Sequence, residues 1–519
     1  MNDINLLSVF LAITPVIIIF ILLAVWHLPA DVAGVIGWIF TVFIAILYFK
    51  TALNVIFLSS LSGIIASLPI ALVVATSIFQ VTIMQETGAI SRIVALLKTI
   101  SPKDTIVQVM LINVGFGTML TALGAVPVSI LPPIMLSLGY SSFVAIALPA
   151  IGYDALTTYA LLGVPVVVFA NTVSMPVRDV GMYFARFMPV ISTCIALGML
   201  WIIGGWKMML KGSIPAVLSG LVAGFICIGM NELGLITVTG IAAGAGVIVV
   251  MFIYLLLMRK PLLERGKLDE TDHLAEKRMT LVAAISPWLI LTVISLLVNA
   301  PFLPMFELTF NRLSMPVEII PGAPEKVRLL WQAYFWIAVS TLISLPFLRA
   351  SSNQVKDSLR KWLKRAPRPV LSAAVFFAIA YLINQSGKDA SWQLIDGNLN
   401  MVALVAKASA AGFGRFYPLV APYLGLFGGF ISGSETSAIA MLTNLHLSTA
   451  QEIGAIGLVI AAASGIGGGL ASVISPAKLQ NAAASIDRIG EETKVIRTTV
   501  LIAIVITAVC ALMTLIWAY

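Results

Sequence analysis

Long apolar stretches recur along almost the whole chain, from Leu6 to Ala518, and short polar segments separate them. A bilayer core about 30 Å thick needs roughly 20 apolar residues per helical crossing. The pattern therefore predicts about 11 to 14 transmembrane segments, partial crossings included. Continuous apolar runs indicate helices, because the strands of a membrane barrel alternate in polarity. We expect an all-α polytopic membrane protein, with the first run, residues 6–28, retained as a span because no basic leader precedes it.

The polar and Gly-rich segments that interrupt the apolar stretches occur in the same order in both halves of the chain. In each half a Gly-rich stretch is followed by a second polar or Gly-rich segment that ends at a proline. The first pair of landmarks, Gly117 and Pro165, is 48 residues apart, and the second pair, Gly428 and Pro476, is also 48 residues apart. This spacing predicts an internal repeat.

The charges predict how the two repeats are oriented. The basic loops 259–278 and 349–368 are expected on the cytoplasmic side. The first-half loop with Arg92, Lys98 and Lys103 is basic, whereas the matching loop 388–400 carries one lysine and two aspartates. Equivalent loops are therefore expected on opposite sides, which predicts inverted repeats. Inverted repeats with interrupted hydrophobic segments are typical of secondary transporters.

The composition supports a membrane carrier and gives no sign of an enzyme. Hydrophobic residues make up 60% of the 519 positions and charged residues 10%, and the mean hydropathy is +1.04. The net charge of +8 is explained by orientation, so neither a nucleic acid nor another acidic partner is implied. The three cysteines lack disulfide or metal spacing, and no catalytic motif is present. We expect no enzyme activity, no metal and no cofactor beyond a coupled H⁺ or Na⁺.

The interrupted segments organise the expected architecture. Re-entrant hairpins are predicted near residues 113–138 and 418–446, and broken helices near 144–167 and 454–476. The chain is accordingly divided into an N-terminal span, a first repeat, connecting scaffold helices, a second repeat and a C-terminal span: 1–35, 36–178, 179–328, 329–484 and 485–519.

Helix breaks at membrane depth are the candidate binding site. They occur only where protein or a watery cavity covers the freed backbone groups, and the exposed N–H groups favour an anion. Gly433 and the glycine run 465–469 are each expected to open a helix. The candidate substrate-binding residues are Thr118, Thr121, Thr157, Thr158, Ser432, Gly433, Ser434, Thr436, Ser437 and Ser475. The alternative for the glycines and serines is close helix packing.

Two acids lie in these interruptions, Glu435 and Asp154. An ionisable side chain at membrane depth costs at least about 2.5 kcal/mol and is a functional candidate by default. Either acid can carry a proton or bind sodium, and the alternative for each is a structural hydrogen bond. Lys478 could attract an anion, but a lysine near a helix end commonly extends to the surface. His446 is expected at the membrane interface, with pH sensing as the alternative.

The second-half segments carry a family resemblance. GLFGGFISGSETSAIAML (425–442), GIGGGLASVISPAKLQNAAA (465–484) and GEETKVIRTTV (490–500) resemble the carboxy-terminal signature of the L-lactate permease family. The resemblance extends more thinly from about residue 36 to residue 519. It implies a plasma-membrane carrier that takes lactate or glycolate together with a cation and moves it by an elevator-like motion. By analogy with elevator-type carriers, a homodimer is expected.

The first half departs from the family pattern. Where the family resembles Phe-Leu-Glu-Gly-Ala-Ala-Gly-Phe-Gly-Ala-Pro, this chain reads MLTALGAVP over residues 119–127, which is shorter by two and lacks the acid. Asp154 is a candidate to supply that acid. The expected function is therefore cation symport of a small monocarboxylate. A dicarboxylate carrier, a cation/proton antiporter and an ion channel remain as alternatives.

Overall fold

The chain is helical over most of its length in a computed structural model that describes residues 5–26, 28–100, 104–266, 268–299, 303–488 and 490–519. In chain order the α-helices are α1 (Leu6–Ala24), α2 (Ala30–Leu47), α3 (Leu53–Glu86), α4 (Ala89–Thr99), α5 (Thr105–Val109), α6 (Gly117–Ala122), α7 (Pro127–Ser137), α8 (Ser142–Ile151), α9 (Ala160–Thr172), α10 (Val177–Ala185), α11 (Met188–Lys211), α12 (Ser213–Glu232), α13 (Thr239–Leu257), α14 (Glu270–Arg278), α15 (Leu281–Asn299), α16 (Ala333–Ser344), α17 (Ser352–Arg365), α18 (Pro367–Gln385), α19 (Met401–Phe413), α20 (Tyr417–Ser432), α21 (Glu435–Ile453), α22 (Gly457–Leu470), α23 (Pro476–Ala484) and α24 (Glu492–Trp517). A π-helical segment, Met110–Phe116, joins α5 to α6.

Within the described residues, nine helical stretches are long and apolar enough to cross a membrane, or ten if the bent pair formed by α8 and α9 is one span. Three shorter apolar helices, Leu6–Leu22, Asp31–Leu47 and Ala333–Ser344, add to these. The chain is thus a multi-pass membrane protein. The prediction of 11 to 14 segments counted partial as well as full crossings. Among the described residues, nine or ten stretches are long enough for a full crossing.

One segment corrects the all-α expectation. Two short antiparallel strands, β1 (Met315–Ile320) and β2 (Ala323–Val327), form a hairpin in which Val317 pairs with Glu325. Proline at positions 316, 321 and 324 disfavours a helix here, and Gly322 adopts a positive φ of 74° at the turn.

Helices α3 and α18 form the central antiparallel pair, and a glycine allows their close contact. A Cβ built on Gly63 would lie 2.5 Å from the carbonyl oxygen of Phe377, so only glycine lets the two backbones approach this closely. At its far end α3 stops at Gly88, whose φ of 84° is left-handed.

The breaks fall inside each predicted hairpin and each predicted broken helix. Hairpin 1 comprises Thr105–Ala122 and α7, and hairpin 2 comprises α20 and α21. Broken helix 1 comprises α8 and α9, bent by 62°, and broken helix 2 comprises α22 and α23. Helix α21 of hairpin 2 packs on α9 of broken helix 1, and α7 of hairpin 1 packs on α23 of broken helix 2. The two halves therefore contact each other reciprocally.

The three loops predicted on the basic side lie together at the Glu86 end of α3. Lys361 of the loop 349–368 pairs with Glu86, and Lys98 pairs with Asp272 of the loop 259–278 at 2.8 Å. The loop after α18 instead lies at the opposite end of α3, where Ala52 N–H donates to the Lys388 carbonyl oxygen at 3.0 Å.

Candidate functional site

Hairpin 2 breaks at a Ser-Gly-Ser sequence because each residue ends or starts a helix. Gly433 has a φ of 66° and ends α20, its N–H donating to the Gly429 carbonyl oxygen at 2.8 Å. Glycine adopts this left-handed conformation without the Cβ penalty. Ser434 is then the N-cap of α21, and its hydroxyl accepts from the Ser437 N–H at 3.3 Å.

The remaining predicted hydroxyls of this segment have two kinds of surroundings. The Ser432 hydroxyl lies 2.8 Å from the Gly428 carbonyl oxygen and 3.0 Å from that of Ser434. Ser432 and Ser434 therefore satisfy the backbone at the break. Thr436 and Ser437 follow in the first turn of α21 and are buried.

Glu435 is the first residue of α21 and is only 2% exposed. Its Oε1 accepts a 2.6 Å hydrogen bond from the hydroxyl of Thr158 in broken helix 1. Its Oε2 is buried and has no hydrogen-bond partner in the described part of the chain. A buried carboxyl oxygen without a partner is costly, which makes this oxygen the candidate point for binding a proton, a cation or a ligand.

Thr158 reaches Glu435 because broken helix 1 is irregular at this point. A 3₁₀ turn, Asp154–Tyr159, follows α8. Leu161 and Leu162 then adopt left-handed φ values of 53° and 60°, followed by Gly163 at 80°. Each left-handed leucine stores about 1–3 kcal/mol of strain, of the kind that collects at functional sites. Thr157 points back along the same turn, 3.5 Å from the Tyr153 carbonyl oxygen.

Of the predicted acids, only Glu435 has a described side chain. The backbone of Asp154 begins the 3₁₀ turn, but its side chain lies outside what the structure describes. Among the described residues, His, Cys, Asp and Glu side chains form no group of three or more that could hold a metal ion.

The break in broken helix 2 brings Ser475 and Lys478 to the same place. Ser475 is buried, its hydroxyl has no partner in the described structure, and it lies 3.4 Å from the position a Cβ on Gly433 would take. The Lys478 ammonium donates to the Ser472 hydroxyl and lies 5.8 Å from the centroid of the Tyr153 ring. Lys478 is therefore directed inward, contrary to the expectation that it extends to the surface.

Sequence reasoning missed one polar residue near the acid. Asn231, near the end of α12, is 1% exposed, and its amide donates to the Tyr159 hydroxyl at 2.9 Å. Tyr159 directly follows Thr158, whose hydroxyl donates to Glu435. An asparagine within an apolar helix was the available signal, because a buried amide needs a partner.

Among the described residues, the predicted hydroxyls of hairpin 1 form no hydrogen bond with Glu435. The Thr121 hydroxyl donates to the Gly117 carbonyl oxygen at 2.9 Å, and the Thr118 hydroxyl is buried without a partner among the described residues. Their helix packs on α13, where Gly244 lies against Gly115. The first-half hydroxyl that contacts Glu435 thus comes from broken helix 1.

The expectation that the glycine run 465–469 opens a helix is wrong. Helix α22 continues to Leu470. A Cβ on Gly467 would lie 2.0 Å from the Pro422 carbonyl oxygen, and a Cβ on Gly429 would lie 2.1 Å from that of Gly468. The glycines therefore let α20 and α22 approach closely, which is the packing alternative. The break follows the run, after a 3₁₀ turn at Ala471–Val473.

The expectation that His446 is an interfacial residue is also wrong. His446 is fully buried. Its Nδ1 lies 2.8 Å from the Tyr417 hydroxyl and its Nε2 lies 2.7 Å from the Ser464 hydroxyl. The ring therefore links α20, α21 and α22, because both its nitrogens find hydroxyl partners inside the helix cluster.

Comparison with known proteins finds similar chains over almost the whole length of this one. The chain is 26% identical to the glycolate permease GlcA of Escherichia coli strain K12, over 99% of this chain and 96% of that protein. It is 24% identical to the L-lactate permease of Salmonella typhimurium, with the same coverage. It is 23% identical to the L-lactate permease of Bacillus subtilis, over 95% of this chain and 93% of that protein.

A solved structure, MtrF of Neisseria gonorrhoeae, aligns over 88% of this chain and 83% of that one, with 14% identity and a TM-score of 0.43. This likeness is too distant to define a shared fold. The family model for L-lactate permease, by contrast, matches residues 8–519. The chain belongs to the L-lactate permease family.

Proposed function

We propose that the protein is a secondary carrier that moves a small monocarboxylate, such as L-lactate or glycolate, together with a proton or sodium ion. The substrate class follows from the relatives, which are named for L-lactate and glycolate. One observation carries the coupling: Glu435 is buried at a helix break, with one carboxyl oxygen held by Thr158 and the other without a partner.

Electrostatics explains why substrate and cation would move together. An ionised Glu435 and a substrate carboxylate repel each other, and in a low-dielectric site that repulsion is large. A proton or Na⁺ on Glu435 removes the repulsion. The monoanion then binds beside the Lys478 ammonium and the Ser475 hydroxyl, near the N-termini of α21 and α23, where backbone N–H groups favour negative charge. Each ligand therefore strengthens the binding of the other.

The two halves support an inverted repeat. Gly428 lies 311 residues after Gly117. Shifted by this offset, Thr105–Ala122 corresponds to α20 and α8 overlaps α22. The reciprocal packing of each hairpin on the other half's broken helix is what a two-fold relation between the halves would produce. The opposite charge of the matching loops supports inversion, and an elevator-type movement of the hairpins and broken helices is part of the proposal.

Uptake into liposomes tests this function. The purified full-length protein is reconstituted, and labelled L-lactate and glycolate are offered with an imposed proton gradient, a sodium gradient or neither. Accumulation above the outside concentration, driven by one gradient, supports a carrier. Flux that only equilibrates the label indicates a channel, and strong competition by succinate indicates a dicarboxylate carrier. Proton efflux driven by a cation without any carboxylate flux indicates an antiporter.

A further inference from the structure

Two neighbouring cavities are lined in part by residues of α9. The first is lined by residues of α9 and α16 together with Thr237, Ser295 and Trp331, and the second by Arg328, Glu325, Asn171 and a turn of α3. Gln332 lines both cavities and therefore separates them.

Helix α9 connects these cavities to the buried acid. Asn171, at its end, lines the second cavity, and Val167, Val164 and Leu162 line the first. Thr158, which donates to Glu435, lies one turn before Leu162. The two cavities and the acid thus follow each other along one helix and the turn that precedes it.

The second cavity is lined by residues within the range 65–69 of α3, which lie 17 to 21 positions before Glu86, the end of α3 that contacts the basic loops. Helix α16 has 12 residues, which span about 18 Å at 1.5 Å per residue, less than the roughly 30 Å of the hydrocarbon core. The β-hairpin and Arg328 precede α16, so this polar segment occupies the outer part of the membrane. Irregular polar backbone is tolerated at such depth only where protein covers it or water reaches it.

Arg328 is the buried positive charge in the lining of the second cavity. It is 7% exposed, its Nε donates to the Phe310 carbonyl oxygen at 3.1 Å, and its Nη1 donates to Asn171 Oδ1 at 3.4 Å. The guanidinium carbon lies 4.0 Å from the Phe310 ring centroid. Within the described chain Arg328 forms no ion pair, and the nearby acid, Glu325, is hydrogen-bonded by Tyr381 instead.

We propose that Arg328 forms an outer anion-binding site where a small carboxylate first binds, before it passes Gln332 and follows α9 to Glu435. A buried guanidinium without a carboxylate partner is an unsatisfied charge, and its planar fork matches a carboxylate. The identity of the anion as a monocarboxylate rests on the proposed function. The positive charge at the mouth concentrates anions ahead of the apolar first cavity.

Thiol labelling in intact cells tests this site without relying on transport. A thiol is introduced by Gln332→Cys, and in a second protein by Thr237→Cys deeper along the route. The anionic sulfonatoethyl and cationic trimethylammonioethyl methanethiosulfonates are applied from outside, and rates are read above the parent's background. The expected ratio of anionic to cationic rates at Gln332→Cys falls about 10-fold when Arg328→Gln is added. L-lactate or glycolate slows the labelling while Arg328 is present.

Lys326→Gln is the matched control. Lys326 lines the same cavity but is exposed, so water screens its charge. Its replacement is expected to change the ratio of anionic to cationic labelling rates by less than about two-fold. Arg328→Lys retains most of the ratio. The site is overturned if neither introduced thiol reacts from outside, or if the ratio is the same with Arg328→Gln. Retained charge selectivity without any monocarboxylate uptake supports the site and overturns the proposed substrate class. Uptake without charge selectivity overturns the site alone.

Discussion

The hydroxyl of Thr158 donates a 2.6 Å hydrogen bond to the carboxyl group of Glu435, 277 positions later in the chain. Both side chains are almost completely buried. One belongs to the broken helix of the first half and the other to the hairpin of the second, so the bond joins the two halves at the proposed coupling group.

Removing the donor tests this contact. Thr158→Val keeps the shape but leaves a second carboxyl oxygen without a partner, a loss of about 1–3 kcal/mol. We expect gradient-driven uptake of L-lactate or glycolate to fall about 10-fold or more. Thr158→Ser retains the hydroxyl and is expected to keep most of the activity. Equal rates for the valine and serine variants would show that the hydrogen bond has no role.

Lys478 is expected to contribute to anion affinity. Lys478→Gln removes the ammonium that the proposed site places beside the substrate carboxylate, so the KM for monocarboxylate uptake is expected to rise about 10-fold. The matched control is Lys494→Gln, because Lys494 is an exposed lysine of α24, and its KM is expected to stay within two-fold. An unchanged KM for Lys478→Gln would remove Lys478 from the substrate site.

The close contact between α20 and α22 makes a stability prediction. A Cβ on Gly425 would lie 1.8 Å from the Ser464 carbonyl oxygen, so Gly425→Ala forces the helices apart at a cost of about 1–3 kcal/mol. Its unfolding temperature in detergent is expected to fall. Gly229→Ala is the control, because no atom lies within 4 Å of its Cβ position, and alanine favours the helix by about 0.5–1 kcal/mol. Equal effects of both changes would refute the packing role.

The ion pairs of Lys98 attach α4 to α14 outside the membrane. Lys98 donates to Asp272 at 2.8 Å and to Asp269 at 3.0 Å. Removing one partner of a buried ion pair typically lowers the free energy of unfolding by about 3–5 kcal/mol. Because Asp269 is exposed, the loss for Lys98→Met is expected at the lower end of this range. A lower unfolding temperature is expected, with Lys277→Met, an exposed lysine of α14, as the unaffected control.

The same contacts give a pH dependence. The pKa of Asp269 is held below its usual range by hydrogen bonds from the Thr271 hydroxyl, the Asp272 N–H and Lys98. The stability that Asp269 contributes is therefore present above about pH 3.9 and is lost as the pH falls. Burial alone would lower the pKa of Lys98, but the hydrogen bonds to Asp272 and Asp269 outweigh it and raise the pKa. The stability from Lys98 is full below about pH 10.4 and is lost above it. The stability difference between wild type and Lys98→Met should therefore be constant between these limits, and a difference that varies within them would contradict this account.

Much of this fold could be predicted from the order of apolar and polar residues. The Ser-Gly-Ser sequence at 432–434 favours the end of one helix and the start of another, and the structure confirms the predicted break there. The β-hairpin at 315–327 was not predicted, because its apolar and polar residues alternate over only a few positions between prolines. The glycine run 465–469 was wrongly predicted to open a helix. The sequence does not show that carbonyl groups of α20 lie against these glycines.

The site was predicted in part for the same reason. Glu435 stands out as an acid in an apolar segment. Its partner Thr158 was one of several candidate hydroxyls, and the sequence does not reveal the 3₁₀ turn, Asp154–Tyr159, in which Thr158 meets the acid. Lys478 and His446 were placed at the surface, because a lysine or histidine near a helix end has no pattern that reveals which way it points. These directions are set by tertiary packing.

The central claim is that Glu435 couples the ion gradient to the substrate. The most direct measurement is gradient-driven accumulation of labelled L-lactate and glycolate in liposomes with wild type, Glu435→Gln and the exposed control Glu452→Gln on the same helix. Because glutamine is close in shape to glutamate but cannot carry a proton or a negative charge, we predict that Glu435→Gln folds but does not raise the internal concentration above the external one. Wild type and Glu452→Gln are expected to accumulate substrate to the same level. Normal accumulation by Glu435→Gln would contradict the account.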